Sequence, residues 1–264
     1  MEKRILLTGV SSGIGYHLAK AYLQAGHEVY GVSRQVPERL IHFPNFTFTT
    51  LDLRHFEKIS QTLYRILNKL GSLDLVILNA GILGKIGDTN ELDLADFFEA
   101  MDVNVWANKV LLDKLFALNL EIRQVVAISS GASIMAFRGV SPYCISKAAL
   151  NMLIELYAIE RPKTHFSSLA PYLVNTPMQE IISRFPDDQR FTLFQTLKDA
   201  KTNGQMLSPK SAAQLLIRGF ALALNRPSGS FINQNDSLNR DFFKSSALPP
   251  LNETKKTREV LSTS

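Results

Sequence analysis

The stretch Thr8-Gly-Val-Ser-Ser-Gly-Ile-Gly15 decides how the chain is expected to fold. It follows a short apolar run at 5–7, which predicts a buried parallel strand, and it opens an amphipathic helix predicted over 14–24. Glycines here permit a tight turn, and the first N–H groups of the helix then point toward an anion such as a pyrophosphate. An ordinary turn is the alternative, and the spacing is G-x-x-x-G-x-G rather than G-x-G-x-x-G. The position between a first strand and a helix favours a dinucleotide site.

Strand and helix patterns alternate along most of the remaining chain, with no internal linker. We therefore predict one doubly wound α/β domain, a mostly parallel sheet of about seven strands with helices on both faces. The domain is expected over 1–243, with a longer, more polar substrate loop near 176–207 and a polar C-terminal tail over 244–264. The predicted strands are 5–7, 28–33, 46–51, 74–78, 123–128, 165–169 and 229–232, and the predicted helices are 14–24, 56–70, 94–118, 143–161 and 208–225.

Composition narrows the class of protein. Hydrophobic residues make up 45% of the 264 residues, and the single cysteine excludes an internal disulfide and a cysteine-based metal site. No metal site of another kind is predicted. The net charge of +5 comes from scattered basic residues, so we expect an anionic small ligand rather than nucleic acid. No signal peptide and no apolar run of membrane-spanning length occurs, which predicts a soluble cytoplasmic protein without a membrane partner.

Polar and small residues fall where predicted strands end, the edge at which ligands bind in such sheets. Arg34 follows the second strand, where an enzyme that uses NAD would place an acidic residue for the ribose 2′-hydroxyl. A guanidinium suits a 2′-phosphate instead, so NADP is predicted, with a solvated loop arginine as the alternative. The other residues at strand ends are Asp52, Asn79, Ser130 and Pro171.

Tyr143 and Lys147 stand four residues apart at the start of a predicted helix and therefore share a face. A fixed cation near a phenol lowers its pKa, so the pair is able to exchange a proton with a carbonyl or alcohol oxygen. Taken alone, the spacing more often describes a half-buried ring beside a solvated amine. Cys144, between them, is expected to be a buried thiol rather than a nucleophile.

Several motifs in the same order resemble those of the short-chain dehydrogenase/reductase family, over roughly Arg4 to Phe231. The glycine-rich stretch matches T-G-x-x-x-G-x-G, 79–81 matches the end of N-N-A-G, and 143–147 matches Y-x-x-x-K. Ser130 lies thirteen residues before Tyr143, the family's usual interval. Asn104 stands where the family keeps an active-site Asn, and Pro171, Thr176 and Met178 match P-G-x-x-x-T-x-M.

The resemblance implies a role for each of these residues. Tyr143 would be the general acid of a reduction, Ser130 would bind the substrate oxygen, and Asn104 would hold a water in the proton path. Lys147 would bind the nicotinamide ribose and lower the phenol pKa. The implied NADP(H) contacts are Gly9, Ser11, Ser12, Gly13, Ile14, Gly15, Arg34, Asp52, Leu53, Asn79, Ala80, Gly81, Tyr143, Lys147, Pro171, Val174 and Thr176.

Two positions depart from the family pattern. Leu78 replaces the first Asn of N-N-A-G, and Tyr172 replaces a glycine beside the expected nicotinamide site, where its ring is expected to narrow the pocket or to require another backbone angle. The stretch 174–179 is similar to sepiapterin reductases and bacterial benzil reductases, which implies an NADPH-dependent reductase of a ketone or vicinal dicarbonyl. The alternatives are a cofactor-binding scaffold or sensor without turnover, and the same chemistry on a steroid, sugar or acyl ketone. The resemblance also implies a homodimer or homotetramer.

Overall fold

Seven parallel strands form the main sheet of the computed structural model, which describes residues 2–233. They are β1 (Arg4–Thr8), β2 (Glu28–Ser33), β3 (Phe46–Thr50), β4 (Leu75–Leu78), β5 (Gln124–Ile128), β6 (His165–Ala170) and β7 (Phe231–Asn233). Their spatial order is β3-β2-β1-β4-β5-β6-β7, so the direction of winding reverses between β1 and β4. The reversal opens a crevice at the carboxyl ends of these two strands. The predicted doubly wound α/β fold is confirmed.

Helices cover both faces of this sheet. They are α1 (Gly13–Gln24), α2 (Phe56–Leu67), α3 (Leu94–Met101), α4 (Ala107–Ala117), α5 (Ser141–Glu160), α6 (Pro177–Arg184), α7 (Thr192–Thr202) and α8 (Pro209–Ala223). One core lies between the sheet and α2, α4 and α5, and the other lies between the sheet and α1 and α8. Successive residues of β1 show why the strand reads as an unbroken apolar run: Leu6 faces the first core, whereas Ile5 and Leu7 face the second.

Several element boundaries differ from the sequence prediction. The predicted strand 74–78 begins one residue later, at Leu75, and the Asp74 carboxylate accepts a hydrogen bond from the Arg4 backbone N–H at 2.9 Å. A two-residue strand, Ser72–Leu73, precedes this point and pairs with Glu121–Ile122. The predicted helix 94–118 contains a π-helical turn at Asp102–Trp106, and α5 begins at Ser141, with Pro142 in its first turn.

The prediction of a long polar loop near 176–207 is wrong in its secondary structure. This segment forms α6 and α7, and its apolar residues pack together beneath the surface. The rings of Phe185, Phe191 and Phe194 lie 5.5–5.8 Å apart between centroids. Polar residues on the outer faces of two short helices concealed this pattern. The following helix starts as predicted, since the Ser208 side chain accepts a hydrogen bond from Ser211 N–H at 3.1 Å.

The predicted tail 244–264 lies outside the described residues. Within residues 2–233, no helix combines the length and apolar character that crossing a membrane requires.

Candidate active site

A cavity of about 820 Å³ lies at the carboxyl edge of the sheet, over the crevice between β1 and β4. Most of the residues predicted for the site line it. Gly15 and Asn104 are the two exceptions, and both lie directly behind the wall. The predicted residues that line the cavity are Gly9, Ser11, Ser12, Gly13, Ile14, Arg34, Asp52, Leu53, Asn79, Ala80, Gly81, Ser130, Tyr143, Lys147, Pro171, Val174 and Thr176.

The glycine-rich turn places backbone where a side chain would not fit. Gly9 and Gly13 have φ of 76° and 56°, in the left-handed region that favours glycine. A Cβ atom on Gly15 would lie 2.1 Å from the Gly9 carbonyl oxygen, so the start of α1 packs directly against the turn. The side chain of Ser12, at the N-cap, does not cap the helix. The first backbone N–H groups of α1 are therefore not bound by the Ser12 side chain, and the residues that carry them, Gly13 and Ile14, line the cavity.

This donor set fits a nicotinamide dinucleotide. Gly13 lines the cavity, and a Cβ atom on it would make ordinary van der Waals contact with Thr176 and Pro177 at 3.6 Å, so the turn lies beside the start of α6. The N-terminus of α1 supplies N–H donors and a partial positive charge for a pyrophosphate. The cavity continues from this turn to Tyr143 and Lys147, so its two ends are joined.

Arg34 and Asp52 differ in how they are paired at the far end of the cavity. Asp52 accepts two-pronged hydrogen bonds from the Arg54 guanidinium at 2.7–3.1 Å, and these bonds hold the pKa of its carboxyl down at about 2. Arg34 is exposed and makes no hydrogen bond or ion pair within residues 2–233. Its charge is therefore available to a ligand, whereas the charge of Arg54 is neutralised.

Asn79 joins the ends of β1 and β4. Its Nδ2 donates to the carbonyl oxygens of Thr8 at 2.9 Å and Gly9 at 3.3 Å. The fully buried hydroxyl of Thr8 accepts the backbone N–H groups of Asn79 and Ala80, each at 3.0 Å. This clamp holds the glycine-rich turn in register with the 79–81 segment, and it explains why Thr8 belongs to the motif.

Asn104 is fully buried in the π-helical turn. Its Oδ1 accepts the Ile82 N–H at 2.8 Å, and its Nδ2 donates to the Ile82 carbonyl and to Ser146 Oγ, both at 2.9 Å. Ser146 in turn donates to the Tyr143 carbonyl at 2.9 Å. The side chain thus ties the 81–83 segment to the start of α5, and the water-holding role implied for Asn104 stays a prediction.

Tyr143 and Lys147 meet at the floor of the cavity. Lys147 is 4% exposed, its Nζ donates to the Ile128 carbonyl at 2.8 Å, and Nζ lies 5.6 Å from the centroid of the Tyr143 ring. Burial lowers the pKa of the Lys147 ammonium to about 8. Burial also raises the pKa of Tyr143 to about 12, against the opposing effect of the nearby Ser130 side chain.

In this arrangement desolvation outweighs any lowering of the phenol pKa by Lys147, so the role implied for Lys147 stays a prediction. The ammonium is directed at a backbone carbonyl of β5, and desolvation of the phenol dominates. A pKa near 12 keeps the phenol protonated at neutral pH. Tyr143 is consequently suited to donate a proton rather than to hold a negative charge.

Apolar side chains form the wall opposite the glycine-rich turn. Tyr172 is half-buried among them, and among non-glycine residues of 2–233 only Asn119 has a positive φ. The left-handed backbone that a glycine would allow is thus not used at Tyr172, and the narrowing of the pocket by its ring stays a prediction. The apolar wall consists of Phe137, Val140, Tyr172, Leu173, Met178, Ile181, Ile182, Leu193 and Leu197.

Comparison with known proteins identifies the family. Residues 3–186 match the family model described as short chain dehydrogenase. The chain belongs to this family of oxidoreductases. It is 31% identical over 262 residues to a benzil reductase ((S)-benzoin forming) of Saccharomyces cerevisiae, covering 89% of this chain and 97% of the relative. It is 30% identical over 185 residues to an NADPH-dependent pterin aldehyde reductase of Arabidopsis thaliana, covering 67% of this chain and 76% of that protein.

Solved structures agree with this assignment. The crystal structure of a short chain dehydrogenase/reductase from Saccharomyces cerevisiae superposes with a TM-score of 0.75 at 28% identity, over 91% of this chain and 99% of that one. The predicted resemblance to the family and to its benzil reductase group is confirmed. As a short chain dehydrogenase, the protein is an enzyme of the class that interconverts alcohols and carbonyls with a nicotinamide cofactor.

Arg54 and Asn151 were missed from sequence, and Thr8 was predicted only as the first residue of the glycine-rich motif of this short chain dehydrogenase. Thr8 and Arg54 each contact a predicted residue directly, and Asn151 contacts the segment that carries Ser130. Arg54 stands two residues after Asp52 and Asn151 stands four residues after Lys147, so local spacing offered a signal for both.

Proposed function

We propose that this protein is an NADPH-dependent carbonyl reductase that converts a ketone or vicinal dicarbonyl to a hydroxy compound, with Tyr143 as the proton donor. The observation that carries the proposal is the convergence of Ser130, Tyr143 and Lys147 on one cavity that also contains the glycine-rich turn and Arg34. Binding of a dinucleotide along this cavity would bring its nicotinamide end to the acid–base residues. The reduced nicotinamide supplies the hydride to the carbonyl carbon.

The protein supplies position, charge and a proton. Ser130 donates its hydroxyl to the carbonyl oxygen, which fixes the substrate and stabilises the negative charge that develops there. Tyr143 donates its phenolic proton to the same oxygen. The transfer is favourable because an alkoxide is a much stronger base than a phenolate, even for a phenol whose pKa is about 12. The Lys147 ammonium, protonated below a pKa of about 8, lies beside the ring and favours the phenolate that remains.

NADP is proposed over NAD because of the charges at the far end of the cavity. Arg34 has no hydrogen bond or ion pair in the described part of the chain, and the nearby Asp52 is bound by Arg54. A 2′-phosphate at this end would meet an available guanidinium and no free carboxylate. The name of the pterin aldehyde reductase relative supports the same choice of cofactor.

The substrate end of the cavity suits a carbonyl flanked by apolar groups. Phe137, Tyr172 and Met178 contribute to its wall together with further apolar side chains. A charged or strongly hydrated sugar would leave its polar groups without partners against these side chains. The benzil reductase relative acts on a diaryl dicarbonyl, and a substrate of this kind fits the lining.

The test is consumption of NADPH across a panel of carbonyl compounds, comprising benzil, other vicinal diketones, simple ketones, a pterin aldehyde and a sugar. We expect turnover with the apolar diketones, and loss of at least about a thousandfold in kcat for Tyr143→Phe with NADPH binding retained. Fluorescence titration with NADPH measures that binding separately. Binding of NADPH together with no turnover of every carbonyl in the panel would contradict the proposal and favour the scaffold alternative.

The remaining expectations are part of the same proposal. The described residues 2–233 form the catalytic unit, with α6 and α7 over the substrate end. A homodimer or homotetramer is supported by the exposed apolar side chains Trp106, Met152 and Ile159 on the outer surface of the 102–106 turn and α5. Light scattering coupled to gel filtration measures the oligomeric state, and a monomer at all concentrations would contradict this expectation. Residence in the cytoplasm stays a prediction.

A further inference from the structure

Helix α5 holds the segment that carries Ser130 at more than one point. Lys147 bonds to the Ile128 carbonyl at the end of β5, and one helical turn later Asn151 reaches the residues on either side of Ser130. Tyr143, Lys147 and Asn151 stand at intervals of four residues and therefore form one stripe along the helix. The first two members of the stripe belong to the reaction centre, which raises the question of what the third does.

The hydrogen bonds of Asn151 form a closed chain around Ser130. The Ser129 hydroxyl donates to Asn151 Oδ1 at 2.6 Å, and Asn151 Nδ2 donates to Ser133 Oγ at 2.8 Å. The Ser133 hydroxyl donates to the Ser130 carbonyl at 2.6 Å, and the Ser133 N–H reaches the same carbonyl at 3.0 Å. Since a serine has one hydroxyl proton, Ser133 must accept from Asn151 in order to donate to Ser130.

This chain determines what the Ser130 hydroxyl is able to do. The short 3₁₀ turn Gly131–Ser133 begins at Ser130, whose Oγ accepts the Ala132 N–H at 3.1 Å. Accepting that bond occupies a lone pair, so the hydroxyl proton is directed toward Tyr143 and the cavity, where a substrate oxygen would receive it. The direction of that proton depends on the turn, and the turn is fastened to α5 through Asn151.

We infer that Asn151 is a positioning residue for the reaction, which holds the 129–133 turn so that Ser130 donates its hydroxyl to the substrate carbonyl. The inference rests on the proposed function, because it deepens the role given there to Ser130. Asn151 touches neither substrate nor cofactor, and it does not line the cavity. Within residues 2–233, its side chain forms hydrogen bonds with Ser129 and Ser133.

Asn151→Ala removes both side-chain hydrogen bonds, the one from Ser129 and the one to Ser133, whereas Asn151→Asp removes only the donation to Ser133. An aspartate still accepts from Ser129, but it attracts the Ser133 proton away from the Ser130 carbonyl. We expect kcat for the best dicarbonyl to fall about 10- to 100-fold in both variants, with KM for NADPH within about threefold of wild type, because a displaced donor loses transition-state contact rather than cofactor binding.

Asn45→Ala is the matched control. Asn45 is also a half-buried amide with two hydrogen bonds, which it donates to the Leu23 and His27 carbonyls at 3.1 and 2.7 Å. It lies directly before β3, at the amino edge of the sheet and away from the cavity. Its loss is expected to lower the melting temperature to a similar extent and to leave kcat unchanged.

Two measurements separate positioning from a merely structural contribution. The first is a double-mutant cycle. When Ser130 is already replaced by alanine, adding Asn151→Ala should cause no further loss of kcat, because the side chain through which Asn151 acts is gone. A double variant whose fold-loss in kcat equals the product of the two single fold-losses would overturn the inference. Amide hydrogen exchange of a peptide covering 129–135 should be at least about tenfold faster in Asn151→Ala than in wild type or Asn45→Ala, because bonds that order the turn are lost.

The outcomes also separate this inference from the proposed function. Wild-type protein that consumes no NADPH with any carbonyl would refute the proposed function, and the exchange rates would still decide whether Asn151 fixes the turn. Turnover in wild type, with kcat of Asn151→Ala within about threefold of it, would refute the inference while the proposed function stands. Unchanged exchange over 129–135 would refute it whatever the activity.

Discussion

Arg34→Ala offers the most direct test of how the cavity selects its cofactor. Arg34 is an exposed cation without a partner in the described chain, and Arg54 cannot replace it because Asp52 holds its guanidinium. A hydrogen bond to a charged group contributes about 1.5–3 kcal/mol. At about 1.4 kcal/mol per factor of ten, this range corresponds to a loss of about 10- to 150-fold in affinity. The lower end applies to an exposed pair, because solvent screens it.

The expected result is a dissociation constant for NADPH that rises about tenfold, with a change for NADH of less than about twofold. The assay is fluorescence titration with each cofactor at two salt concentrations. Added salt should narrow the difference between wild type and Arg34→Ala, because mobile ions screen the pair. Arg34→Lys should recover part of the affinity, since it keeps the charge but loses the planar fork.

Arg39→Ala is the control for net charge. Arg39 is likewise an exposed arginine in the segment after β2, but it does not line the cavity. It should leave both dissociation constants unchanged. Equal losses for NADPH and NADH in Arg34→Ala, or a loss in Arg39→Ala as large as that in Arg34→Ala, would refute the assignment of Arg34 to a 2′-phosphate.

Three further predictions concern the pair Tyr143 and Lys147, the glycine-rich turn, and the segment of α6 and α7 over the substrate end of the cavity. Burial lowers the pKa of Lys147 to about 8, while the Tyr143 phenol keeps its proton up to about 12, so the rate of reduction should decrease as the pH rises through about 8. The measurement is the initial velocity at saturating cofactor, and a rate that stays unchanged up to pH 10 would contradict this prediction. Gly15→Ala should destabilise the fold by about 1–3 kcal/mol or more in urea unfolding, because its Cβ would meet a carbonyl oxygen at 2.1 Å. Gly71→Ala, with nothing within 4 Å of the added atom, is the control, and equal losses in the two would refute the packing argument. Arg190→Met should make the segment of α6 and α7 more sensitive to limited proteolysis at low salt, because it removes ion pairs that tie this segment to residues 88–91. An unchanged cleavage pattern would show that apolar packing alone keeps this segment in place.

Much of the fold was accessible from local patterns. The glycine-rich stretch stands between an apolar run and an amphipathic helix, and each of these patterns depends on residues close together in sequence. The spacing of Tyr143 and Lys147 is also local, since four residues make about one turn of helix. Ser208 and Pro209 marked the start of α8 for the same reason. In each case neighbouring side chains carry enough information to specify a backbone conformation.

The helices α6 and α7 were missed because their stability comes from elsewhere in the chain. Phe191 is 2% exposed, and a Cβ atom on Gly139 would lie 2.8 Å from its ring, so the helix packs onto a segment some fifty residues earlier in sequence. Seen alone, the stretch has many polar residues and short apolar periods. The surface that buries its aromatic side chains exists only after the sheet has formed.

The sequence by itself determined the alternation of strands and helices, the turn that suits a dinucleotide and the spacing of the proposed acid–base pair. The tertiary structure decided the environment of that pair. Burial raises the pKa of the Tyr143 phenol and lowers that of the Lys147 ammonium. The fold also directs Lys147 toward the Ile128 carbonyl and joins Asn151 to the 129–133 turn that carries Ser130. The physical reason is that desolvation and hydrogen-bond partners depend on which strands and helices become neighbours. That order is set by crossovers between distant segments, which no local period encodes.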